Sequence, residues 1–78
     1  MKVRTRNSVY QVMSATGGFL VVKIENRDLE GSLSLSSVGV GDVSRGKQLV
    51  LSLGGPLFLM DEKGNATLQT STVQGVEI

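Results

Sequence analysis

The segment that decides the fold is ATGGFLVVKIE (residues 15–25), a glycine pair followed by a run of branched and aromatic apolar residues. Two adjacent glycines accept positive φ values, so they predict a tight turn. The β-branched and aromatic residues that follow the glycines fit a pleated sheet, and they predict a strand over residues 19–25. Alternation along that strand places Leu20, Val22 and Ile24 toward the core and Lys23 and Glu25 toward solvent.

Short apolar runs between glycines continue along the whole chain. Its 78 residues include 11 valines, 10 leucines and 10 glycines but only two alanines, which favours strands over helices. An apolar fraction of 40% with a net charge of +1 excludes intrinsic disorder. We therefore expect one small all-β domain over residues 1–78 with little or no helix.

About six short strands are predicted between glycine or polar turns. They span residues 3–14 (bent at 7–8), 19–25, 32–37, 47–53, 57–60 and 66–73, and residues 76–78 are expected to pair again. Inward-facing leucines are expected at positions 33 and 35 and at 49, 51 and 53. Residues 38–46 are interpreted as a glycine-rich connection, and Gly64 as the left-handed residue of the hairpin loop 61–65. This spacing favours an SH3-like barrel or a rolled antiparallel sheet.

The residue types needed for several kinds of catalysis are missing. The sequence contains no histidine, cysteine or tryptophan, which excludes Cys/His metal sites, thiol nucleophiles and histidine bases. Asp61 and Glu62 adjoin Lys63 and are typical of a solvated turn. Gly39 and Gly41 lack the third glycine and the helix of a phosphate loop. We expect a non-enzymatic protein without cofactor or metal.

A basic stripe marks the amino-terminal strand. Lys2, Arg4 and Arg6 alternate along it, and Arg45 and Lys47 would extend the stripe if their strand lay nearby. Such a surface favours contact with phosphate, so nucleic-acid binding is the main alternative function. Proteins that bind nucleic acid usually carry more stacking aromatic residues and more positive charge than the three aromatic residues and the net charge of +1 in this chain. Sequestration of a small anionic ligand between subunits, with backbone donors from residues 39–45, is a further alternative.

Apolar residues on both faces of two strands favour an interface. Residues 19–22 and 57–60 are apolar throughout, so one face of each would meet solvent in a single-layer sheet. A small domain gains buried area by oligomerisation, and we predict a homo-oligomer with residues 57–60 as the preferred contact strip. The candidate binding residues are Lys2, Arg4, Arg6, Tyr10, Arg45, Lys47, Phe58 and Met60.

Both chain ends carry a family resemblance. Residues 3–12 (VRTRNSVYQV) and 70–78 (TSTVQGVEI) resemble the "TRNSxYxV" start and "TSxVxxVE" end of small bacteriophage and prophage proteins. The resemblance implies a phage-encoded accessory protein that binds or inhibits a host protein in the bacterial cytoplasm, and it implies no catalytic residue. Neither a signal peptide nor a membrane span is expected, because no apolar run is much longer than the four residues 19–22.

Overall fold

The chain is an all-β protein, as expected. A computed structural model describes residues 1–27 and 39–78, and these form seven strands and no helix. The strands are β1 (Lys2–Thr5), β2 (Ser8–Ala15), β3 (Gly18–Asn26), β4 (Val43–Gly46), β5 (Gln48–Val50), β6 (Pro56–Met60) and β7 (Ala66–Glu77). The strand predicted over 32–37, with Leu33 and Leu35, lies outside the described residues. No helix in the described ranges could cross a membrane.

All seven strands belong to one antiparallel sheet with the order β4-β3-β2-β1-β7-β6-β5. Its two edge strands, β4 and β5, follow one another in the chain and are separated only by Lys47. The sheet must therefore curl until its edges approach, which gives a half-barrel. Across the gap, the Thr67 hydroxyl of β7 donates to the Arg45 carbonyl of β4 at 2.9 Å. The rolled-sheet prediction is confirmed.

Several predicted boundaries are wrong near these edges. The supposed connection 38–46 ends in strand β4, and the strand predicted over 47–53 stops as β5 at Val50. Leu49 and Leu51 pack against the core as predicted. Leu53 is 73% exposed, contrary to prediction, because it lies beyond the end of β5 in a turn.

The turns follow the sequence closely. Gly17 and Gly64 have φ values of 78° and 83°, as the sequence predicts. Residues 76–77 pair with β1, which confirms the predicted pairing of the tail. The strand predicted over 3–14 is more sharply folded than expected, since its bend is a hairpin turn at residues 6–7 that separates β1 from β2.

The core lies on the inner face of the curl. Its buried members are Val3, Tyr10, Val12, Val21, Leu57, Leu59, Leu68 and Val73. The facing predicted for β3 is wrong: Val21 and Lys23 are each 1% exposed, whereas Ile24 is 41% exposed. The reason is the register, which sets Val21 opposite Val12 and Lys23 opposite Tyr10 on the inner face. A lysine can occupy such a position because its long stem is apolar, and the Lys23 side chain is not without an interaction partner there.

A buried hydroxyl network fixes the β1–β2 turn to β7. Thr5 is fully buried, and its Oγ1 donates to the Ser8 carbonyl at 3.0 Å. The same oxygen accepts the Ser8 N–H at 3.1 Å and the Ser71 hydroxyl at 3.0 Å. Ser71 Oγ in turn accepts the Asn7 N–H at 3.1 Å. One threonine thus connects three strands through its side chain.

Replacing Thr5 by valine should lower the free energy of unfolding by about 1–3 kcal/mol, because the buried Ser8 groups lose their partner while the shape is kept. Urea denaturation followed by the fluorescence of Tyr10, the one tyrosine in a chain without tryptophan, measures this. Thr72→Val is the matched control at an exposed position of the same sheet. Equal stabilities for the two variants would contradict the role of the network.

Candidate functional site

Two of the amino-terminal basic residues lie on the outer face of the sheet with acidic neighbours, and the third, Arg6, lies in the β1–β2 turn. Lys2, Arg4 and Arg6 are all exposed. Lys2 and Arg4 line a pocket of about 200 Å³ together with Glu25 and Glu77. Glu77 stands opposite Lys2 in the register of β1 and β7. The surface around β1 therefore carries both signs of charge.

Arg45 and Lys47 do not extend this stripe. Arg45 lies on β4, which β2 and β3 separate from β1, a span of roughly 14 Å at ordinary strand spacing. Lys47 pairs instead with Glu62, with 2.8 Å between Nζ and Oε1. The sequence could not reveal this separation, because strand order is set by pairing between distant segments. Nucleic-acid binding stays a prediction, and the basic surface that would support it is smaller than the sequence indicated.

Tyr10 belongs to the core and is not a surface contact. It is only 3% exposed, because the register places it between Val3 and Lys23 on the inner face. Burial raises the pKa of the Tyr10 hydroxyl, and a hydrogen bond with Ser8 opposes part of that rise. A ring in this position stabilises the fold and cannot stack on a ligand from solvent.

Phe58 and Met60 lie half-buried on the outer face of β6. Phe58 stands opposite Val50, which is 43% exposed, on edge strand β5. We call Val50, Phe58 and Met60 the β5–β6 patch. Leu57 and Leu59, the other half of the predicted contact strip, are fully buried in the core and unavailable to a partner.

A second outer apolar surface lies at the other end of the sheet. Leu20 and Val22 of β3 are half-buried there, opposite Met13 and Gln11 of β2. Met13 is 41% exposed and Val43, opposite Val22 on β4, is 53% exposed. The prediction that residues 19–22 place apolar side chains on both faces of the sheet is confirmed.

A cleft of about 260 Å³ opens where the curl closes, and sequence reasoning did not find it. It lies between the turn at residues 15–18, the β4–β5 junction at 45–47 and the residues Asp61 and Glu62. These segments are remote in sequence, so only the tertiary fold brings them together. Their close approach depends on Gly18 and Gly46: a Cβ on Gly18 would overlap the Gly46 carbonyl oxygen.

The fold and these surfaces define a small all-β half-barrel with an apolar edge patch and a charged cleft. No known protein family, curated protein or solved structure matches the chain. Within residues 1–27 and 39–78, acidic side chains form no group of three suited to holding a metal ion.

Proposed function

We propose that this protein is a non-enzymatic binding module that associates with a second copy of itself through the β5–β6 patch. The observation that supports this is the row of apolar side chains, Val50 and Phe58, next to the sheet edge. Apolar patches at sheet edges are typical of association surfaces. The second copy is favoured because β5 ends the strand order, so antiparallel pairing of two β5 edges would extend the sheet across a twofold axis.

The chain ends support a phage context for the module. The two segments that resemble phage proteins, residues 3–12 and 70–78, lie side by side because β1 pairs with both β2 and β7. On this proposal the protein is a phage-encoded accessory protein that works in the host cytoplasm. There it binds or inhibits a host protein or sequesters a small ligand.

The variant Phe58→Asp should convert the self-associated protein to a monomer, because it places a carboxylate in the centre of an apolar contact. Size-exclusion chromatography with light scattering at high micromolar concentration measures the mass. Val50→Asp, at a more exposed position, should have the same effect and guards against misfolding of the first variant.

The matched control is Met13→Asp, which places the same charge on an apolar residue outside the β5–β6 patch that is 41% exposed, as against 43% for Val50. It should leave the mass of the particle unchanged. A wild-type protein that is monomeric at every concentration would contradict the proposal, and so would dissociation by Met13→Asp alone.

A further inference from the structure

We propose that the cleft at the closure of the curl binds a small ligand that joins a carboxylate to an apolar body, with Arg45 as its anion-binding residue. The proposal rests on the binding-module function but does not need self-association. It assigns a ligand class to a site that shares no lining residue with the β5–β6 patch. The proposal for the cleft and the proposal for the β5–β6 patch can therefore be tested in separate experiments.

The size and lining of the cleft select a small ligand with an apolar part. Phe19 and Leu20 line it as half-buried apolar side chains. Its volume of about 260 Å³ falls below the roughly 300–1,000 Å³ of pockets that hold drug-sized molecules. A single aromatic ring or a short aliphatic chain matches this space.

Two cationic and two acidic side chains line the cleft, so their formal charges cancel. These four side chains differ in whether they already have a partner. Lys47 is paired with Glu62 at 2.8 Å. Asp61 Oδ1 accepts the N–H groups of Lys63 and Asn65 at 2.9 and 3.0 Å, which engages that carboxylate in its own turn. Across the described part of the chain, nothing pairs with the guanidinium of Arg45. Arg45 is therefore the cation available to a ligand.

The sheet holds the backbone of Arg45 in place from two sides. On one side β4 pairs with β3, and the register puts Arg45 directly opposite Leu20. On the other side the Arg45 carbonyl accepts the Thr67 hydroxyl at 2.9 Å. Opposite residues share a face, with their Cβ atoms about 5 Å apart. The aliphatic part of the Arg45 side chain therefore begins beside Leu20. A guanidinium can hold a carboxylate through two parallel hydrogen bonds while Leu20 contacts the apolar body.

Amide chemical shifts followed during a titration with sodium benzoate test the proposal. We expect saturable shifts in residues 15–20 and 45–47. The variant Arg45→Gln should weaken benzoate binding at least tenfold, since it removes a charge-assisted bidentate contact. Arg6→Gln, at another exposed arginine outside the cleft lining, is the matched control and should leave the affinity unchanged. Benzyl alcohol and inorganic phosphate, which each carry half of the ligand chemistry, should bind at least tenfold more weakly than benzoate.

The variant Glu62→Gln should change the benzoate affinity in the opposite direction. It releases Lys47 from its ion pair and removes a negative charge, so benzoate affinity should rise several-fold. Absence of saturable shifts, shifts confined to other surfaces, equal binding of phosphate, or unchanged affinity in Arg45→Gln or Glu62→Gln would each overturn the assignment. Repeating the titration on monomeric Phe58→Asp separates the two proposals, because benzoate binding should persist when self-association is lost.

Discussion

Truncation of Leu59 to alanine should lower the free energy of unfolding by about 2–5 kcal/mol. Leu59 is fully buried and stands opposite Leu68 on β7 and Leu49 on β5. Its side chain also lies against Gly46, where a Cβ would come within 2.6 Å of Leu59 Cγ. Removing it leaves a cavity where the two edges of the sheet meet, so packing on both sides is lost. Domains have a total stability of about 5–15 kcal/mol, so this variant approaches global unfolding.

Leu53→Ala is the matched control because it removes the same atoms from a leucine that is 73% exposed. Its effect should stay within about 0.5 kcal/mol, as for most surface substitutions. Urea denaturation at one fixed protein concentration, followed by Tyr10 fluorescence, compares the two variants. Similar midpoints would show that Leu59 does not carry the core packing assigned to it.

Gly18→Ala should destabilise the protein by about 3 kcal/mol, the upper part of the usual cost of overpacking. The added methyl would overlap the Gly46 carbonyl oxygen and lie 3.1 Å from Lys47 Cα. Both are main-chain atoms, so no side chain can rotate away, and β3 would have to separate from the β4–β5 junction. The same shift would open the cleft lined by Gly18 and Gly46.

Gly55→Ala tests whether steric overlap, and not the loss of a glycine in general, is responsible. A Cβ at Gly55 would meet only Ser52 Cβ, at an ordinary contact distance of 3.9 Å. Alanine there should be neutral or stabilise by about 0.4–1 kcal/mol, because it restricts the unfolded chain. Thermal unfolding by circular dichroism measures both substitutions. A Gly18→Ala protein as stable as Gly55→Ala would contradict the proposed closure of the sheet.

The outer surfaces could be predicted only in part. Apolar runs at 19–22 and 57–60 indicated excess apolar area, because a single-layer sheet has one face in solvent. Which residues meet solvent depends on register, and so Phe58 is available at the surface while Leu57 and Leu59 are buried. The cleft had no local signal, since Arg45 and Asp61 are brought together only by the curl.

Local chemistry determined the class of fold and the turns. Period-two alternation and a valine- and leucine-rich composition specify strands, and a glycine at positive φ specifies a turn, whatever lies elsewhere in the chain. The tertiary structure alone decided which face of β3 is inside. Residues 19–22 are apolar on both faces, so their pattern favours neither. Pairing with Tyr10 and Val12 selected the face that buries Lys23. The register between two strands is set by the contacts between them, and the sequence of one strand alone does not specify those contacts.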